Sequence, residues 1–512
     1  MQGMRWGQAR ARVHRMRRRV CAWRARGVRA IRRVAPGVWR NVADHLIAWR
    51  PWIDRSIVIA CAALTGLLVV GFALLAEGAS HLYMAMRAAG AWAPYASLLW
   101  TPALTVAIVW WTMRFVPGAA GSGIPQVMRA LDDTLQPGQR AWLVSVQLSL
   151  HKVGLVSAGL LAGLSIGREG PTVQVGAGVM HHARRWLSPR SGLDGHDLMV
   201  AGAAAGIAAA FNTPLGGVIF ALEQLSRRRG MSHSGLVIAS IVVAGLVAVS
   251  VFGNATYFGR LKVQEVTAGL LLPGMVVAVA AGLAGGLFVR LMILPVRGLP
   301  AGLARWRRDH PLRFAAVCGV LVALIGLISG GTTAGAGYAP TRAMLEGADE
   351  SSGLFTVLKI AATWLSAVSG VPAGVFAPSL TIGAGIGHDV ARLFDLGGTD
   401  AIPLIALGMV GFLAASTQGP ITAFIIVMEM VAGHAMVLSL MACALLAAAL
   451  SRMVSPSMYT VLAESLPVPP ATVPPGAARL LSPPVTGDAA ADAARNAAPG
   501  ASRDADPGRG PH

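Results

Sequence analysis

The stretch SIGREGPTVQVGAGV, Ser165–Val179, sets a carboxylate, Glu169, and a guanidinium, Arg168, between apolar runs of membrane length. A charge at the centre of a membrane helix costs roughly 2.5–3.5 kcal/mol on insertion scales. The chain must therefore either neutralise Glu169 or use it. Gly167, Gly170 and Pro171 surround the acid. Proline is favoured in the first turn of a helix, where its missing N–H would have no partner anyway. The segment reads as a helix that begins at membrane depth with an acid at its first turn.

The rest of the chain supports that depth. Of 512 residues, 54% are hydrophobic and 13% charged, with a mean hydropathy of +0.60, the profile of a polytopic membrane protein. Apolar runs near the roughly 20 residues that span a bilayer recur from Ile57–Leu75 to Ala435–Leu450. Several fall short of a full span and are broken by Gly or Pro. The net charge of +20 is concentrated: the first fifty residues hold fourteen arginines against Asp44 alone. That is the asymmetry of a cytoplasmic flank. With Trp6, Trp23 and Trp39 it predicts an amphipathic arm on anionic lipid, with an RNA-binding arm as the lesser reading. No signal-peptide pattern is seen. The four cysteines are scattered, and His181 and His182 have no acid or thiol nearby in sequence, so neither metal, disulfide nor cofactor is expected.

Three parts follow: a basic arm over 1–50, a helical membrane domain over 51–464, and a Pro/Ala-rich tail over 465–512 whose composition predicts disorder. Within the membrane domain the pattern of GREGP recurs. GSGIP (Gly121–Pro125), FNTPLGG (Phe211–Gly217), GVFAP (Gly374–Pro378) and QGP (Gln418–Pro420) each place Gly or a small polar residue, then Pro, before an apolar helix. A helix start exposes unpaired N–H groups and carries about half a positive charge. Several starts converging at depth make an anion site without a lysine. An early set (121–217) and a late set (374–420) fit the two halves of a transporter built from repeats.

With these residues in view, the chain resembles the CLC family of chloride channels and chloride/proton antiporters. GSGIP, GREGP followed by TVQVGAG, FNTPLGGVIFALE, GVFAPSL and a late SMYTVLAE occur in the family's order, and the likeness covers nearly all of 51–465. It implies an all-α membrane fold of inverted repeats with tilted and discontinuous helices. It also implies a homodimer with one pore per subunit and both termini cytoplasmic, here in a bacterial inner membrane. By position, Ser122 and Tyr459 match the hydroxyls that bind the central anion, and the amides of Val375, Phe376 and Ala377 match its backbone donors. Glu169 matches the external gating glutamate. Lys152 and Arg168 are expected to support the site through positive potential, Lys152 alternatively as the buried partner of a carboxylate. Glu429 is expected to be structural.

This resemblance answers the question Glu169 raises. An ionised carboxylate is like chloride in charge and in accepting hydrogen bonds, so it can occupy the outer anion position itself. One helix end contributes about 0.3–1 kcal/mol when exposed and up to ~2 kcal/mol when partly buried. Several ends and hydroxyls must therefore act together. Coupled members of the family usually carry two acids after FNxP, the second being the internal proton acceptor. Here Glu223 is followed by Gln224, and an amide cannot titrate. Both positions are candidates for the proton route. Chloride/proton exchange is the expected activity, with an uncoupled chloride channel as the alternative and fluoride transport as a minor one. The embedded acids are too dispersed for an enzyme, and N-terminal helix ends disfavour a cation pathway.

Overall fold

The computed structural model describes residues 49–189, 191–226, 234–253, 258, 268–347 and 353–469. Most of the arginine-rich arm and nearly all of the proline-rich tail lie outside the described residues. The described chain is helical. In order the helices are α1 (Trp49–Arg87), α2 (Ala93–Phe115), α3 (Ile124–Ala130), α4 (Pro137–Leu143) and α5 (Val146–Leu161). Then come α6 (Glu169–Ala183), α7 (Gly195–Phe211), α8 (Pro214–Phe220), α9 (Ser234–Phe252) and α10 (Leu271–Arg297). They are followed by α11 (Ala301–Asp309), α12 (Pro311–Ile328), α13 (Tyr338–Glu346), α14 (Phe355–Val368) and α15 (Phe376–Leu393). The last are α16 (Ala401–Thr417), α17 (Pro420–Val431), α18 (Val437–Val454) and α19 (Met458–Glu464). Among the described residues, eight spans are long and apolar enough to cross a membrane. The shorter helices between them are the broken elements expected at depth.

All five Gly/Pro patterns become helix starts, at α3, α6, α8, α15 and α17. Two helices, α7 and α16, bury every residue, as helices apolar on nearly every side must; the ionisable exceptions in α7, His196 and Asp197, lie in its first turn. Each is held by a partner through glycine. A Cβ on Gly176 of α6 would strike the carbonyl of Gly202 on α7, and the reverse. Gly383 of α15 and Gly408 of α16 stand in the same relation. Without side chains at these points the helices approach backbone to backbone, the packing that small residues permit in membranes.

The two glycine pairs belong to a repeat. Lys152 and Lys359, Gly167 and Gly374, Pro171 and Pro378, Gly176 and Gly383, Pro214 and Pro420, Glu223 and Glu429 are each nearly the same number of positions apart. Their surroundings match as well. Asn212 and Gln418 end α7 and α16 in the left-handed region, with φ 57° and 53°, two residues before Pro214 and Pro420. The halves meet at an antiparallel bridge, in which Gly167 N–H donates to Gly374 O at 2.7 Å and Gly374 N–H to Gly167 O at 3.1 Å. That reciprocal pair is what a two-fold relation between inverted repeats requires.

Candidate functional site

The bridge sets two helix starts side by side. In α6 the first intrahelical bond is Thr172 N–H to Arg168 O, 2.9 Å, and in α15 it is Ser379 N–H to Val375 O, 3.0 Å. The amides of Glu169 and Gly170, and of Phe376 and Ala377, precede those bonds and have no partner within their own helix. Val375 itself is the N-cap of α15. A third start, α3, is tied to the same place. Gly121 N–H donates to Val371 O at 3.3 Å and Ala373 N–H to Gly121 O at 3.1 Å. Gly123 turns the chain into α3 at φ 107°, a conformation that glycine adopts without steric cost.

Side chains complete the cluster. Ser122 Oγ lies where a Cβ on Gly170 would fall, so its hydroxyl sits at the start of α6. Tyr459, on α19, is 1% exposed. Its ring stacks on Phe376, with centroids 6.4 Å apart and planes 9° apart. Its hydroxyl is near enough to Ser122 for the two to interact, but not in hydrogen-bonding geometry: both oxygens are buried without a partner. Buried polar atoms are almost always satisfied. Two orphan hydroxyls among helix starts can both donate to one small acceptor.

Glu169 is fully buried at the first turn of α6. One carboxylate oxygen accepts a hydrogen bond from the Tyr338 hydroxyl. The other, Oε2, has no hydrogen-bond partner and rests over Gly167, where an added Cβ would also meet Pro378 and Ala377. The carboxylate therefore lies against the start of α15. Arg168 stands 4.0 Å from it through Nε, donates through Nη1 to Ala73 O at 2.6 Å, and places its guanidinium 5.5 Å from the centroid of the Tyr338 ring. A buried carboxylate needs such company, because an isolated charge in an apolar interior is very costly.

Lys152 is fully buried, and its ammonium donates to the carbonyls of Ala119 and Gly121, both at 2.8 Å. Its partners are thus backbone carbonyls rather than a carboxylate. It fastens the loop that presents Ser122. Lys359 does the same in the second repeat, donating to Thr333 O and Gly335 O at 2.9 Å each, just before Tyr338.

The remaining two helix starts do not serve the cluster. Glu223 accepts from the amides of Ile421 (3.1 Å) and Thr422 (2.8 Å), at the start of α17. Glu429 accepts from those of Leu215 (3.3 Å) and Gly216 (2.8 Å), at the start of α8. The protein's own carboxylates fill these anion positions. Gln224 is buried on a π-helical turn, Ala221–Leu225. Its Nε2 has no hydrogen-bond partner and lies beside Gly419. Such turns occur often at functional sites.

Tyr338 and Lys359 are absent from the sequence reading. The signal for Tyr338 is GAGYAP, Gly335–Pro340, the counterpart of GSGIP, with Gly335 and Gly337 at φ 64° and 90° matching Gly121 and Gly123 at 74° and 107°. Among the described residues no group of acids, histidines and cysteines could hold a metal ion.

The arrangement has relatives. The sequence model of the voltage-gated chloride channel family matches residues 104–452. The chain is similar to the H(+)/Cl(-) exchange transporter ClcA of Citrobacter koseri, 30% identical over 398 residues covering 73% of this chain and 81% of that one. The ClcA of Salmonella typhi is 29% identical over the same shares. In fold it is similar to a slow cyanobacterial Cl-/H+ antiporter, with a TM-score of 0.65, 23% identity, and 80% of this chain and 97% of that one covered. A CLC-type fluoride/proton antiporter is equally near in fold, with a TM-score of 0.65, 20% identity, and 81% and 98% covered.

Proposed function

This chain belongs to the voltage-gated chloride channel family, and from that premise we propose that it exchanges chloride for protons across the membrane. The observation that carries the reading is the pair of buried, unpartnered hydroxyls of Ser122 and Tyr459 among the starts of α3, α6 and α15. Chloride accepts hydrogen bonds and needs no lysine there. Neutral donors hold it weakly enough to leave again, which throughput requires. The amides of Phe376 and Ala377, with that of the N-cap Val375, supply the backbone donors.

Glu169 is the gate. Its carboxylate rests against the start of α15 and competes with chloride for the same donors. A proton taken up on that carboxylate removes the charge that holds it there, the side chain withdraws, and chloride takes its place. Release of that proton to the side opposite its uptake restores the carboxylate, which then returns to the start of α15 and expels the anion. Arg168 and Lys152 favour the anion by position, Arg168 through its field and Lys152 by fixing the Ser122 loop. Exchange is favoured over an uncoupled channel by the similarity to ClcA exchange transporters. The proton route passes the polar turn at Gln224 through water, since Gln224 does not titrate and Glu223 is engaged as a helix cap.

The working unit is read as a homodimer with one pathway per subunit, lying in a bacterial inner membrane with the arginine-rich arm and the tail cytoplasmic. Reconstitution in liposomes with an outward chloride gradient and recording of external pH tests the function. Proton movement driven by chloride and abolished by a proton ionophore is expected. Chloride flux with no proton movement would make the protein a channel.

A further inference from the structure

Between the spans α10 and α12 lies a nine-residue helix, α11, that buries none of its residues. Its sequence, AGLARWRRD, puts Leu303 and Trp306 on one side and Arg305 and Arg308 on the other. Trp306 is anchored edge-on to Phe314 of α12, with centroids 5.4 Å apart. Arg307 lies at the border, its guanidinium 5.8 Å from the centroid of the same ring. From Arg297 to Arg313 there are five arginines and one acid, Asp309. Arg308 stands 3.6 Å from that acid.

The fold fixes the membrane face on which this helix lies. Arg87, the last residue of α1, donates to Gly326 O near the C-terminal end of α12 at 3.4 Å, and a Cβ on Gly331 would meet its guanidinium. The end of α1 and the end of α12 are therefore together. The start of α12, and α11 with it, lies on the face from which α1 sets out, directly after the arginine-rich first fifty residues. The start of α1 and the basic α11 share one membrane face, and the sequence before α1 is rich in arginine, the asymmetry of a cytoplasmic surface.

We propose that α11 is an interfacial helix that binds the headgroups of anionic phospholipids on that face, with Leu303 and Trp306 toward the acyl boundary and Arg305, Arg307 and Arg308 on the phosphates. An amphipathic helix with an aromatic anchor and a basic polar side fits the boundary between headgroups and acyl chains. It is set there by two flanking spans rather than by its own affinity. The charge complementarity singles out phosphate-bearing anionic lipid, because arginine pairs phosphate oxygens bidentately. Lipid binding at α11 is independent of what the pore carries.

Native mass spectrometry of the full chain, from micelles holding phosphatidylglycerol and phosphatidylcholine in equal amounts, tests it. The wild type is expected to retain phosphatidylglycerol preferentially. The combined Arg305→Gln, Arg307→Gln and Arg308→Gln variant should lower that preference by at least about fivefold, and the corresponding Lys variant should keep it within about twofold. The single change Arg305→Gln, at an exposed side chain, provides the same comparison with the least risk to folding. An undiminished preference in both Gln variants, as expected if the surface served an acidic protein instead, overturns the proposal. So does equal retention of the two lipids by the wild type.

Discussion

Glu223 and Glu429 each cap the start of the helix that leads to the other. Glu223 follows α8 and binds two amides of α17, while Glu429 lies in α17 and binds two amides of α8. The exchange clamps the two repeats together and pairs two N–H groups at each helix start that have no partner within their own helix. A hydrogen bond to a charged group contributes roughly 1.5–3 kcal/mol. Glu223→Ala and Glu429→Ala should therefore lower stability by similar amounts, on the order of 2–3 kcal/mol, read as thermal unfolding of the purified protein in detergent. A Glu223→Gln variant with wild-type stability and no proton flux would move Glu223 from the clamp to the proton route.

Glu169 and Tyr338 make a second testable pair. Glu169→Gln removes the charge proposed to contest the anion position, so proton movement should cease while chloride flux persists, in parallel chloride and pH recordings from liposomes. Tyr338→Phe leaves the ring beneath Arg168 and deletes only the hydroxyl that holds the carboxylate. Losing a charge-assisted bond of about 1.5–3 kcal/mol weakens the resting position of the gate, and chloride turnover should rise by roughly tenfold. Unchanged turnover in Tyr338→Phe would show that the gate is held by other contacts.

The hydroxyls of Ser122 and Tyr459 are the groups assigned directly to the anion. Ser122→Ala and Tyr459→Phe each remove one donor and, in the second case, leave the stack on Phe376 in place. Chloride binding measured by titration calorimetry should weaken roughly ten- to hundredfold for each, the equivalent of one charge-assisted hydrogen bond. Thermal stability without chloride should hardly change, because neither hydroxyl has a protein partner to lose.

Sequence alone carried the helix starts well, because Gly and Pro act locally: each pattern from GSGIP to QGP begins a helix. It could not say which starts converge. Whether a start faces an anion or a glutamate two hundred residues away depends on tertiary placement, and Pro214 and Pro420 read like Pro171 and Pro378 until Glu429 and Glu223 are seen at their amides. The two sets of motifs pointed to a repeat, but its residue-by-residue register was hidden for a related reason. It is kept by a few glycines, prolines and charges at matched positions, while the apolar residues between them are free to vary as long as they fill space. Tyr338 is marked only by the glycines of GAGYAP, because its counterpart in GSGIP, Ile124, has no polar group to suggest a role.

Lys152 and Lys359 offer a way to separate the two halves of the proposed mechanism. Each is fully buried, and each donates to two carbonyls of a loop. Lys152 holds the loop before Ser122, and Lys359 holds the loop before Tyr338. Replacing either with Met leaves two carbonyls, all buried but the half-buried Gly121, without that donor, at about 1–3 kcal/mol for each unsatisfied group, so both variants should be less stable. Their functional losses should differ. Lys152→Met loosens the anion-binding hydroxyl and should weaken chloride binding in calorimetry. Lys359→Met loosens the hydroxyl on the gate and should alter turnover in liposomes while leaving chloride affinity near that of the wild type. Equal loss of affinity in both variants would mean that the loops move as one body and that the repeats do not divide binding from gating.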